Sequence, residues 1–262
     1  MPRADSSSVP ASWQRVRLIA AQTLGEALRL RLTVLLGLAG AMLVLLARGL
    51  RDFNFGVAEL KFIADFGLGA IGLLGTLLAA LATAHLFFSD ITGATIGCVL
   101  TRPVRRWEYI AGKLAGVMAL LAFFVAALAL VLAGVIAVRE RQLGAVFVPL
   151  PVFLQACALV WLKVTLVAAM TLLVCSYAGS ALFASCAGLM LAVVAHLRPF
   201  TTGAGGLSFL RLWPNLALFD AEPLLAGGGL TTGGLLGLAG YWAVFIILFG
   251  GLASYVFKHR EF

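Results

Sequence analysis

The chain has 262 residues, of which 62% are hydrophobic and 11% are charged, and its formal net charge is +8 at neutral pH. Ordinary soluble domains carry about 25% charged residues, so the composition excludes a soluble globular protein. Apolar tracts rather than alternating strands dominate the chain, and in hydrocarbon the backbone polar groups of such tracts are satisfied within helices. The sequence therefore predicts an all-α integral membrane protein that forms a single domain over residues 1–262.

The first predicted element follows a polar tail and covers residues 12–31. Apolar side chains from Trp13 to Ala27 recur on one helical face, and charged and polar side chains occupy another. This pattern is typical of an amphipathic helix that lies in the membrane interface. The alternative is an inward continuation of the first membrane span.

Six apolar tracts follow, and a spanning helix needs about 20 such residues. The first tract is short, but Arg29 and Arg31 can extend their charged ends to the interface and so lengthen it. The sequence predicts six transmembrane helices, at residues 32–47, 66–88, 114–138, 152–175, 181–197 and 232–257.

The distribution of positive charge predicts the orientation. Of the 19 Lys and Arg residues, eleven fall on the side of the two termini, seven fall on the other side, and Lys163 falls within a span. Cytoplasmic loops carry an excess of Lys and Arg, which predicts cytoplasmic termini, a cytoplasmic loop at 89–113 and an outer loop at 198–231. Within the outer loop, residues 207–219 are rich in aromatic side chains and are predicted to be interfacial or re-entrant. The same distribution accounts for the basic charge without a nucleic-acid partner.

Few residues indicate chemistry. Lys163 is a candidate pathway residue because ionisable groups in hydrocarbon are costly; the favoured alternative is that its helix begins late and leaves it near the outer interface. The three histidines are far apart in the sequence, so neither a metal site nor an acid–base site is indicated. No nucleotide-binding, nucleophile-elbow or zinc-protease motif is present, and no catalytic residue is predicted.

The most informative segment is the cytoplasmic loop at 89–113. Pro103 suits the first turn of a helix, which would carry Arg105, Arg106, Trp107, Glu108 and Tyr109. Arg and aromatic side chains are enriched at protein–protein contacts, so a short helix at 103–109 is predicted to dock a soluble partner, with Trp107 and Tyr109 as its anchors. The alternative is a positively charged loop with an interfacial Trp.

This loop resembles the one that follows the second transmembrane helix in ABC-2 type permeases. The likeness rests on Gly93-x-Thr95, on Leu100-Thr-Arg-Pro-x-x-Arg-Trp-Glu-Tyr109 and on Gly112-Lys113. The six-span layout and the amphipathic first helix are also similar, and the subgroup most similar contains the permeases of nitrous-oxide-reductase maturation and of gliding motility. The chain lacks the large outer domain that bigger members carry between the first two spans.

The resemblance implies a membrane subunit whose ATPase is a separate polypeptide. The chain would then be a multi-pass protein of the bacterial inner membrane, surrounded by membrane lipid, that pairs with itself or with a similar permease. It would not be an enzyme and would bind no cofactor, because ATP and magnesium would be held by the ATPase. The residues implied in partner binding are Asp90, Gly93, Arg102, Pro103, Arg105, Arg106, Trp107, Glu108, Tyr109 and Lys113.

Two other classes remain open at the level of sequence. An integral membrane enzyme would need acidic, His or Ser side chains clustered at one depth, and the sequence indicates no such cluster. A secondary transporter would favour broken helices and charges at the midplane, a requirement that Lys163 alone meets.

Overall fold

A computed structural model describes residues 12–47, 58–92, 105–143, 149–201, 213–227 and 229–258. Within these ranges the regular structure is helical and contains no strand, so the predicted all-α class is confirmed for them. The α-helices are α1 (Ser12–Arg29), α2 (Arg31–Ala47), α3 (Ala58–Thr92), α4 (Arg106–Leu143), α5 (Leu150–Tyr177), α6 (Ala181–Leu197), α7 (Glu222–Gly227) and α8 (Thr232–Lys258), with 3-10 turns at Arg198–Thr201 and Leu216–Phe219.

A sharp bend separates α1 from α2. The two helix axes differ by 63°, and the break falls at Leu30. The hydroxyl of Thr33 donates to the carbonyl of Ala27 at 2.8 Å, and the same carbonyl accepts from the backbone N–H of Leu30 at 3.3 Å, so both bonds hold the end of α1 at the bend. The predicted helix at 12–31 therefore ends at Arg29, and the predicted first span begins at Arg31. We call this bend the elbow.

The two helices that follow are longer than predicted. α3 has 35 residues and α4 has 38, so each is more than about 50 Å long, against roughly 30 Å of hydrocarbon. The predicted loop at 89–113 is therefore too long, because residues 89–92 end α3 and residues 106–113 begin α4. The predicted short helix at 103–109 is corrected in the same way. Its described part from Arg106 is the start of α4, which contains no proline to end it.

Four of the described helices are long and apolar enough to cross a membrane, namely α3, α4, α5 and α8. Counting the bent pair of α1 and α2 as one span gives five. α6 is equally apolar but has only 17 residues, because it begins after the capping residue Ser180 and gives way to a 3-10 turn. The fold is thus that of a helical bundle compatible with several membrane crossings.

The centre of the bundle is formed by α3 and α5. α3 packs against α2, α4, α5 and α6, and α5 also contacts α8. Glycines permit the closest approaches: a side chain at Gly75 would come within 3.0 Å of Val164, and Gly188 lies against Thr171. Small residues let helix backbones approach closely where water does not drive association. These contacts fix the relative positions of α3, α5 and α6, which enclose the cavity described below.

Candidate functional site

The ends of α3 and α4 are joined by a buried ion pair. One carboxylate oxygen of Asp90, near the end of α3, accepts hydrogen bonds from the Tyr109 hydroxyl and from the Lys113 ammonium, each at 2.6 Å. The Lys113 side chain is 2% exposed and that of Asp90 is 15% exposed. A buried charge is tolerated when it is paired and hydrogen-bonded. The two helices that flank the predicted coupling loop are therefore tied together at its base.

Glu108 joins this base to α1. Its carboxylate lies 3.3 Å from the Arg15 guanidinium, and the Glu108 side chain is fully buried. The second carboxylate oxygen accepts a hydrogen bond from the backbone N–H of Arg105 at 3.0 Å. A glutamate three residues after the residue that precedes a helix commonly satisfies that residue's free N–H. Glu108 thus caps α4 and holds α1 beside it.

Arg106 joins the same base to α8. Its guanidinium donates to the carbonyls of Phe257 at 3.0 Å and Lys258 at 2.7 Å, which lie in the last turn of that helix. The Tyr109 ring stacks on Phe257 at 5.8 Å, and Phe87 lies 5.9 Å from Phe257. We call the set of Arg15, Asp90, Arg106, Glu108, Tyr109 and Lys113 the junction cluster. It fastens α1, α3, α4 and α8 at one end of the bundle.

The junction cluster changes the roles expected for the predicted partner-binding residues. Gly93, Arg102 and Pro103 lie outside the described residues. The side chains of Asp90, Glu108, Tyr109 and Lys113 are directed into the protein, and Tyr109 is only 7% exposed, so its ring packs inside the bundle rather than on the surface expected of a docking anchor. Trp107 is 46% exposed, and Arg105 beside it is also exposed.

A second feature is a cavity of about 760 Å³ between α3, α5, α6 and residues 213–227. Its walls are mainly apolar, and its polar side chains are Asp65, Thr76, Lys163, His196 and Asp220. Lys163 donates to Asp220 at 2.6 Å, and their side chains are 17% and 34% exposed. The cavity therefore combines an apolar surface with an ion pair.

The position of Lys163 corrects the favoured sequence interpretation. α5 begins at Leu150 and has 28 residues, so Lys163 is its fourteenth residue. The interpretation of a late helix start is wrong. The partner Asp220 was not anticipated, because it is supplied by the segment at 213–227 rather than by a neighbouring turn of α5.

The segment at 213–227 packs into the bundle. Asn215 accepts a hydrogen bond from the N–H of Ala217 at 3.1 Å, and its own N–H donates to the Tyr241 hydroxyl at 2.8 Å. Phe219 is fully buried, and the Trp213 ring lies 5.7 Å from that of Phe249. These contacts hold the 3-10 turn against the helices and present Asp220 to Lys163.

The part of the chain that the structure describes contains no group of three or more His, Cys, Asp or Glu residues placed to hold a metal ion. Comparison with protein-family models gives no match, and no curated protein matches the sequence.

Proposed function

We propose that this chain is the permease subunit of an ATP-driven transporter of the ABC-2 type, in the bacterial inner membrane, with hydrolysis in a separate ATPase. Its six spans are α2, α3, α4, α5, α6 and α8, with α1 as the interfacial helix and both termini in the cytoplasm. It pairs with itself or with a similar permease. Under this proposal the chain supplies the pathway and receives the force, and it exports a substrate or does mechanical work.

The observation that carries the proposal is the junction cluster. A force applied to the connection between α3 and α4 reaches α1 through Glu108 and α8 through Arg106, because each is directly bonded across the helices. A partner shifts a conformational equilibrium only if it contacts the two states differently. The connection between α3 and α4 is suited to receive such a partner, because the junction cluster at its two ends joins four helices.

Trp107 is the contact that we assign to the ATPase. It is a large aromatic side chain, 46% exposed, at the start of α4 and next to the exposed Arg105. Truncation of aromatic anchors commonly costs about 2 kcal/mol or more of binding free energy. Tyr109 contributes by holding Asp90 rather than by touching the partner.

Photo-crosslinking tests the proposal directly. A benzophenone amino acid introduced at Trp107 should, in native membranes, form an adduct with a polypeptide that carries a Walker A motif. The same amino acid at Tyr255, which is 65% exposed on α8 near the same end of the bundle, should give no such adduct. Adducts from Trp107 that contain no ATPase would oppose the proposal.

A second candidate function, secondary transport without an ATPase, is favoured by one observation. Lys163 and Asp220 form an ion pair in the cavity, halfway along α5, and ionisable groups at that depth commonly mark substrate or ion paths. Lys163→Met should abolish uptake or export driven by an ion gradient if this function is correct. The permease proposal predicts that Lys163→Met keeps its ATP-dependent activity.

A further inference from the structure

A second cavity, of about 590 Å³, lies at the elbow. Arg29 and Arg31 line it from the elbow, His85 lines it from α3, and the first turns of α6 close it with Leu182. The polar side chains therefore come from the elbow, from α3 and, through Ser185, from α6, and they surround a space large enough for a small molecule.

The charge of this cavity is positive. Arg29 and Arg31 are exposed, and neither forms an ion pair or a hydrogen bond with another residue in the described ranges. The acidic residue that precedes them by one turn, Glu26, accepts a hydrogen bond from Gln22 at 3.1 Å and does not line the cavity. Guanidinium groups match phosphate oxygens in geometry as well as in charge.

The start of α6 adds to this field. Ser180 caps the helix, with its side chain accepting from the N–H of Phe183, and Ala181 and Leu182 in the first turn line the cavity. The N-terminus of a helix carries a partial positive charge that favours anions. The arginines and the helix end therefore act in the same direction.

The remaining wall of the cavity is apolar. It includes Leu32, Leu81 and Leu182, and Leu182 is 77% exposed. α2 continues from the elbow with no charged residue between Leu32 and Ala47. A free phosphate ion would leave this surface uncovered, whereas acyl chains attached to a phosphate would cover it.

We propose that the elbow cavity binds the phosphate group of an anionic phospholipid, with its acyl chains along α2 and α3. A zwitterionic lipid fits less well, because its ammonium group would find no carboxylate among the lining residues. The site lies where the chain passes from the amphipathic α1 to the apolar α2, which is the level at which arginines reach headgroups. The inference requires a membrane-embedded chain and does not depend on an ATPase partner.

Native mass spectrometry of the delipidated full chain can test the site by titration with phosphatidylglycerol. The double variant Arg29→Gln/Arg31→Gln should weaken the binding of the first lipid by roughly thirtyfold, because each arginine near the headgroup contributes about fivefold. The matched control Arg17→Gln/Arg141→Gln removes two exposed arginines that do not line the cavity and should leave that affinity within about threefold.

Two further ligands test whether the cavity requires an anionic phospholipid rather than any phospholipid or a free phosphate ion. Phosphatidylcholine should bind less tightly than phosphatidylglycerol, and inorganic phosphate at millimolar concentration should not displace the bound lipid. Equal loss of lipid in the two double variants would overturn the site. Displacement by inorganic phosphate, or equal affinity for phosphatidylcholine, would overturn the assignment to an anionic phospholipid.

Discussion

At the scale of single residues, the junction cluster places charged side chains inside the protein where the sequence pattern suggested a solvated loop. Lys113 and Asp90 are 23 positions apart in the sequence. Their side chains carry opposite charges and are largely buried. Breaking such a pair leaves one buried charge without compensation, which costs more than the intact pair contributes. The cluster is therefore sensitive to the loss of either member.

Lys113→Met should destabilise the protein by about 3 kcal/mol, because Asp90 would lose its charge partner and keep, among the described residues, the hydrogen bond from the Tyr109 hydroxyl. The change in the free energy of unfolding is measured on the purified protein in mild detergent, with circular dichroism to monitor unfolding. Lys258→Met is the matched control: this lysine lies at the same end of the bundle with an exposed side chain, and its loss should change stability by less than about 0.5 kcal/mol. Equal destabilisation by the two variants would argue against a structural pair.

At the scale of helices, α1 and the first part of α4 pack along a seam of small residues. A side chain at Gly112 would meet Ile19 at 2.8 Å, and one at Gly116 would come within 2.8 Å of the carbonyl oxygen of Ala20. Together with the Arg15–Glu108 ion pair, these contacts follow one another in the same order along both helices. α1 is therefore fastened to α4 over most of its length.

Gly116→Ala should destabilise the protein by roughly 1–3 kcal/mol, because the added methyl group would overlap the backbone of α1. Gly134→Ala, also within α4, meets no atom within 4 Å and should stabilise the helix by about 0.5–1 kcal/mol. The two variants are compared by thermal unfolding in the same detergent. Effects of the same sign would mean that the α1–α4 seam does not form.

The sequence predicted the helices better than their connections. Apolar tracts identified α3, α4, α5, α6 and α8 because hydrocarbon demands a continuous run of apolar residues. The sequence did not predict that residues 89–92 extend α3 and that residues 106–113 begin α4. Polar residues such as Glu108 and Lys113 are compatible with a loop as long as their buried partners are unknown. The Lys163–Asp220 pair was missed for the same reason: the two residues are 57 positions apart, and no local pattern relates them.

At the scale of the whole molecule, the start of α1, the end of α3, the start of α4 and the end of α8 share one end of the bundle. The contacts from Arg15 to Glu108 and from Arg106 to Lys258 require this. The arrangement in which both termini and the coupling loop share one side of the membrane stays a prediction. The proposal assigns this end to the cytoplasm.

Cysteine labelling tests that assignment. Arg105 and Arg141 are exposed at opposite ends of α4, so after removal of the native cysteines Arg105→Cys and Arg141→Cys report on opposite sides. In sealed spheroplasts a membrane-impermeant maleimide should label Arg141→Cys and leave Arg105→Cys unlabelled until the cells are opened. The reverse pattern would place the junction cluster outside.

The central claim is that Trp107 transmits the work of a separate ATPase to the junction cluster. The most direct measurement purifies the complex through this chain and determines both the amount of ATPase recovered with it and the rate of ATP hydrolysis. It compares the wild type with the Trp107→Ala, Arg105→Ala and Tyr255→Ala variants. Trp107→Ala should lower ATPase association by roughly thirtyfold, equivalent to about 2 kcal/mol for an aromatic anchor, while Arg105→Ala should have a smaller effect and Tyr255→Ala none. Unchanged ATPase recovery and unchanged hydrolysis with Trp107→Ala, at equal membrane yield, would contradict the claim.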